Sequence, residues 1–290
     1  MTTTRTLEMT DVDLVYDVHG PLPTADGRRP LLMVGQPMAA DGFGTLASLF
    51  ADRTVVTYDP RGLGRSARKD GRIDHTPQDQ AADLHALVVA LDAGPVDVFA
   101  SSGGAVTALE LVTRHPEDVA ILVAHEPPMN TVLPDADAAD RARQAMFDAY
   151  NDGGFGAGMA QFITMTSWPG EFTEDFFAQP PADPTMFGMS SEDDGSREDP
   201  LLSDRSWAIT DYKPDVDALR AAPTRIVIGV GVETGDTYTG RTARATASLL
   251  DQDATVFPSH HGGFLGGEHG YAGEPEAFAL KLREVLDTDQ

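Results

Sequence analysis

The sequence predicts an α/β fold, a mostly parallel central sheet flanked by helices, with one helical insertion. Three observations carry that reading. Short runs rich in Val and Ile recur along the chain, amphipathic helical patterns fill the intervals, and the alternation stops once, between residues 131 and 221, where no strand pattern occurs. Strands separated by helix-length connections pair in parallel, because a parallel neighbour must be reached by a crossover.

The first segment, LEMTDVDLVYDVHG (7–20), alternates apolar and polar residues and predicts an antiparallel pair at the sheet edge. Continuous apolar runs follow at RPLLMVG (29–35), RTVVTYD (53–59), VDVFAS (96–101), VAILVAHE (119–126), TRIVIGVG (224–231) and ATVFPS (254–259), each read as a buried strand. Between them TPQDQAADLHALVVALDAG (76–94) sets Ala81, Leu84, Leu87, Val88 and Leu91 on one helical face. AVTALELVTRH (105–115) and EPEAFALKLREVL (274–286) are the other core helices. Inside the interruption, DAADRARQAMFDAYNDGG and LSDRSWAITDY predict helices, whereas AQPPADPTMFGMSSEDDGSREDP (178–200) has the Pro, Asp, Ser and Gly content of a loop. The chain therefore divides into a first core part (1–130), a helical insertion (131–221) and a second core part (222–290).

Composition narrows the function. Against 46 Asp plus Glu stand only 21 Lys plus Arg, a formal charge of -25 that repels nucleic acid and anionic membranes. There is no cysteine, which removes disulfides, zinc-thiolate sites and thiol nucleophiles together. No run approaches the ~18 apolar residues of a membrane span, and the N-terminus lacks an apolar signal core, so a cytoplasmic location is expected.

The stretch VDVFASSGGAVTALEL (96–111) places two serines and two glycines where a strand pattern gives way to a helix pattern. A sharp strand-to-helix turn brings the residues two positions either side of its apex together, so both must be small. With Ser102 at the apex the flanks are Ala100 and Gly104; with Ser101 one flank would be Phe99, too bulky for the turn. Ser102 therefore takes the apex, and because this turn resembles the nucleophile elbow of the α/β hydrolases, Ser102 is the candidate nucleophile. A helix starting at Gly103 would offer its unpaired backbone N–H groups to a developing oxyanion, with the Gly103 amide as one donor.

This turn, the YDPRGLGRSARKD loop (58–70) after a strand, and LLMVGQPM where an oxyanion loop is expected together resemble the α/β-hydrolase superfamily from about residue 12 to the end. Two residues depart from its usual pattern: Ala100 replaces the first elbow glycine, and VGQP replaces a His-Gly pair. The resemblance implies an α/β-hydrolase fold with the insertion as a cap, a second oxyanion donor at the Gln36 amide, and a histidine on the loop after the last strand. That loop offers His260 and His261, and alignment with the family pattern favours His261. For the acid, most members use the strand after the cap, here Glu233 or Asp236; a minority use the end of the preceding strand, here Glu126. SSGG at the elbow followed by HE-x-P resembles the zearalenone-lactonase branch, which implies Ser102, Glu126 and His261 as the triad. Glu126 also closes a strongly apolar strand just before Pro127 and Pro128, where an unpaired charge would be costly.

The implied activity is cofactor-free, metal-free hydrolysis of a carboxylic ester or lactone. Met129, Met159, Phe162, Trp168 and Trp207 are candidates to line an apolar pocket for a bulky hydrophobic small molecule, and a homodimer is a possible assembly. A perhydrolase or haloperoxidase on the same triad and a non-catalytic receptor of the same fold are the competing readings.

Overall fold

The computed structural model describes residues 2–25 and 27–288. Its strands are β1 (Thr2–Glu8), β2 (Val12–His19), β3 (Leu31–Val34), β4 (Val55–Tyr58), β5 (Ala67–Arg68), β6 (Val96–Ser101), β7 (Val119–His125), β8 (Arg225–Gly231) and β9 (Thr255–Phe257). The helices are α1 (Gly44–Ser48), α2 (Pro77–Leu91), α3 (Gly103–Arg114), α4 (Ala136–Ser167), α5 (Glu174–Phe177), α6 (Trp207–Thr210), α7 (Val216–Ala221), α8 (Tyr238–Leu249) and α9 (Pro275–Asp287). One sheet joins the strands in the order β1-β2-β4-β3-β6-β7-β8-β9, with β5 paired to β2. β1, β2 and β5 run antiparallel to their neighbours, and every pair from β4 to β9 is parallel. The alternating first segment does form the edge pair, and each of the six apolar runs contains a strand.

Period-two alternation divides the core into two layers. From β3, β6 and β7, Leu32, Val34, Val98, Ala100, Leu122 and Ala124 face a layer shared with α2, α3 and α8. Leu31, Met33, Phe99, Ile121 and Val123 face the opposite layer, shared with α1 and α9. Each fully buried Leu, Val or Phe contributes about 1.5–3 kcal/mol by leaving water. α2 begins as its sequence dictates, with the Thr76 hydroxyl accepting from the Asp79 amide (3.1 Å) and Pro77 in the first turn.

Between β7 and β8 the described residues form helices and turns but no strand. Much of the apolar content there packs on itself: Phe172, Phe176 and Met165 cluster with Leu133 and Tyr238, and Met146 clusters with Tyr150 and Leu202. Residues 178–200 carry a single short 3-10 turn, Pro184–Phe187, as a loop composition requires. Helix α8 is a difference from the sequence reading. Its buried face is made of Tyr238, Gly240, Thr242, Ala243, Thr246 and Ala247, and apart from Tyr238 these are small residues without the Leu, Val and Ile that mark the other core helices. Among the described residues no helix is long and apolar enough to cross a membrane.

The strand order places β3 beside β6, and the chain leaves the two in opposite directions, toward β4 from one and toward β7 from the other. Such a reversal opens a crevice at the carboxyl ends of the two strands. Gln36 lies just beyond β3 and Ser102 just beyond β6.

Candidate active site

Ser102 occupies the corner between β6 and α3 with φ 57° and ψ -131°, a backbone region that a residue with a side chain rarely adopts. The corner is held from both sides. The Ser102 amide donates to the His125 carbonyl on β7 (3.0 Å), and its carbonyl accepts from the Ala105 amide (2.9 Å). The Ser102 side chain makes no capping bond to its own helix and is partly exposed, whereas Ser101 is buried at the end of β6. Phe99 points into the opposite layer, edge-on to Phe43, Phe264 and Phe278 at ring separations of 6.3, 5.4 and 5.4 Å.

The residues after the corner have to be glycine. A Cβ on Gly103 would lie 2.8 Å from the Gln36 carbonyl oxygen, and one on Gly104 would lie 2.4 Å from that of Val34. The start of α3 is thus pressed directly onto the segment that follows β3. The Gly103 amide, in the first turn of α3, and the Gln36 segment border the same corner, with the helix's first N–H groups lacking intrahelical acceptors.

His261 and Glu126 meet although 135 residues separate them: the His261 Nδ1 to Glu126 Oε2 distance is 2.6 Å. Glu126 follows β7 with φ 51° and is fully buried, and its amide continues the ladder to the Gly229 carbonyl. Its carboxylate is saturated. Oε1 accepts from the Gly231 amide (2.8 Å) and the Thr234 hydroxyl (2.6 Å), while Oε2 accepts from the Thr239 hydroxyl (2.7 Å) in addition to the imidazole. Burial opposes the charge, yet the hydrogen bonds from His261 and Thr234 and the neighbouring imidazoles hold the carboxyl well below the usual range. Thr234 and Thr239 were not singled out from sequence. Their one available signal was their position just after β8, the strand that pairs with β7.

The other candidates lie elsewhere. The His260 ring turns back on its own loop, with Nδ1 accepting from the Gly262 amide (3.1 Å) and Nε2 lying 3.4 Å from the Ala272 carbonyl. Glu233 and Asp236 are exposed on the turn after β8, Glu233 lying 3.5 Å from the Ser259 hydroxyl. No hydrogen bond among the described residues joins the Ser102 hydroxyl to the His261 ring. Met129 is fully buried in the sheet's main apolar layer. Met159, Phe162 and Trp168 are partly buried against the insertion's own clusters, and Trp207 packs edge-on to Phe147 (5.2 Å) under the Arg143 guanidinium (4.4 Å).

The Asp59 loop is structural support for the crevice. Asp59 accepts from the Ala40 amide (3.0 Å), four residues past Gln36, and from Arg65 Nε (2.6 Å). Burial disfavours its charge, but the Arg65 bonds hold its carboxyl below the ordinary value. Arg61 is buried in a two-pronged bond to Asp83 (2.7 and 2.6 Å), and the Ser66 hydroxyl spans the Asp59 carbonyl and the Val15 amide.

His125, Glu126 and His261 bring one metal-ligand atom each within 4.8 Å of one another. Glu126 already accepts four hydrogen bonds there, so this group is a saturated carboxylate with an imidazole bonded to it rather than an open coordination site. His125 itself is fully buried among Phe99, Phe257 and Phe278, and burial pushes its imidazole down to about 4.

Comparison with known proteins is consistent with this geometry. Residues 18–280 match the Alpha/beta hydrolase family. An uncharacterized hydrolase of Bacillus subtilis strain 168, YraK, is 28% identical over 290 residues, which span 98% of this chain and 96% of that protein. A proline iminopeptidase of Mycobacterium smegmatis superposes with a TM-score of 0.63 at 22% identity, covering 99% of this chain and 98% of the other. A thermophilic esterase of Thermogutta terrifontis does so with a TM-score of 0.65 at 18% identity and the same coverage.

Proposed function

The chain belongs to the alpha/beta hydrolase family, and from that membership we propose that it is a serine hydrolase acting on a carboxylic ester or lactone of a bulky hydrophobic substrate through an acyl-enzyme. The observation that carries the proposal is Ser102 held at φ 57° on the helix-capping corner, bonded to the very strand whose next residue, Glu126, holds His261. Glu126 engages Nδ1, which fixes the tautomer and leaves Nε2 as the nitrogen that takes the Ser102 proton.

Ser102 Oγ attacks the acyl carbon as His261 accepts its proton. The Gly103 and Gln36 amides receive the oxyanion, and His261 then protonates the departing alkoxide. Water repeats the sequence on the acyl-enzyme and releases the acid and the free serine. Attack requires the Ser102 hydroxyl and His261 to close to hydrogen-bond distance, a tightening that substrate binding commonly completes. The position of the acid supports the lactonase-like branch, since Glu126 rather than Glu233 or Asp236 contacts the imidazole. The helical insertion, residues 131–221, acts as the cap, and its partly buried Phe162, Trp168 and Met159 give the substrate an apolar wall.

Rapid mixing with p-nitrophenyl esters tests the reading. The wild type releases p-nitrophenol with turnover, and Ser102→Ala loses about four orders of magnitude or more in kcat. Retained turnover in Ser102→Ala rules out this mechanism.

A further inference from the structure

Away from the crevice, three metal-ligating side chains converge on the outer layer. His85 lies on α2, His115 caps the end of α3, and Asp118 lies in the 3-10 turn Pro116–Asp118 that leads into β7. Their ligand atoms all fall within 4.8 Å of one another, and His85 Nδ1 is 2.6 Å from Asp118 Oδ2. We propose that His85, His115 and Asp118 form a binding site for a divalent transition ion of the zinc type. The proposal is independent of the hydrolase reading.

The donor set fits the ion. Two imidazoles and one carboxylate are a common zinc ligand set, and such sites take water as the fourth ligand. Zinc bonds of about 2.1 Å at tetrahedral angles place ligand atoms about 3.4 Å apart, a spacing that falls inside the 4.8 Å within which the three groups already lie. The frame that carries them is rigid: the His115 amide donates to Leu111 (2.7 Å), and the Asp118 amide donates to His115 (3.0 Å). The two imidazoles are half-exposed, giving an ion and its water a way in, while the Asp118 carboxylate is largely buried beneath them. The rings lie face to face, with centroids 3.7 Å apart and planes at 11°. Parallel planes cannot both contain one ion, so binding turns His115 out of the stack while His85 exchanges its contact with Asp118 for a shared metal. Arg114, the residue before His115, is engaged by Glu110 rather than by Asp118. The strongly negative chain also draws cations to its surface.

Calorimetric titration of the full chain with zinc chloride, paired with the visible spectrum after Co2+ addition, tests the site. One equivalent binds to the wild type, and the cobalt form shows the intense bands of a tetrahedral centre. His115→Phe keeps a ring in the stack but removes a ligand; it melts like the wild type without metal and binds Zn2+ at least about tenfold more weakly. Glu126→Gln retains full binding. Absence of binding to the wild type, equal binding in His115→Phe, or loss of binding in Glu126→Gln each overturns the assignment; the last would move the ion to the catalytic crevice.

Discussion

Glu126 keeps its charge without any exposed surface because four donors converge on two oxygens, and only one of the four is the histidine. The amide analogue cannot accept at both ends, so Glu126→Gln loses control of the imidazole tautomer. Its kcat should fall by about three to four orders of magnitude, while Glu233→Gln stays near wild type. The reverse outcome in ester hydrolysis would transfer the acid's role to the later strand. Thr239→Val removes one supporting hydroxyl from the carboxylate oxygen that faces His261. It should lower kcat about tenfold with KM little changed, reflecting a loss of about 1–2 kcal/mol of positioning; an unchanged kcat would reduce Thr239 to packing. Burial holds the His125 imidazole at about 4, against an ordinary value of 6.5. Between those values the unfolded chain binds a proton that the folded chain refuses, so this residue's contribution to stability rises as pH climbs from about 4 to about 6.5. The deficit on the acid side amounts to about 3 kcal/mol. Thermal melts of His125→Phe from pH 4.5 to 7 should therefore show a shallower loss of Tm toward acid than the wild type; identical slopes would refute the linkage.

At the scale of elements, the seating of α3 on the end of β3 defines the corner. Gly104→Ala forces a methyl to within 2.4 Å of the Val34 carbonyl oxygen, contact that backbone must yield to. Thermal unfolding should show a loss of about 1–3 kcal/mol together with collapse of activity, and a fully active, equally stable variant would mean the two segments are not tightly apposed. The elements themselves were readable to the degree that their side chains advertise a period. β3, β6 and β7 stand out because Leu, Val, Ile and Phe fill both faces. α2 stands out because Leu84, Leu87 and Leu91 share one face and Thr76 and Pro77 mark its start. α8 was silent because small residues do its packing, and Thr234 and Thr239 were silent because their role depends on the spatial pairing of β7 with β8, which linear order does not reveal.

Over the whole molecule, the sheet brings together residues contributed by distant parts of the chain: Gln36 after β3, Ser102 after β6, Glu126 after β7 and His261 after β9. Which serine takes the corner was legible from local sterics, since Phe99 excluded Ser101 from the apex, whereas the reading of that corner as an elbow rested on the resemblance to the α/β hydrolases. The choice among Glu126, Glu233 and Asp236 was not, because all three end or follow neighbouring parallel strands and only the fold separates their side chains. If the helical insertion roofs this crevice, kcat/KM for p-nitrophenyl esters should rise with acyl length, by at most about fourfold per methylene. Phe162→Ala should flatten that rise, and a series insensitive to chain length in the wild type would argue against an apolar wall.

The most direct measurement is intact-mass and peptide mapping after treatment with a fluorophosphonate probe. A single phosphonyl adduct on Ser102 is expected in the wild type, none in Ser102→Ala, and strongly slowed labelling in His261→Ala. A wild-type protein that resists the probe, or an adduct mapped to any other residue, would contradict the account.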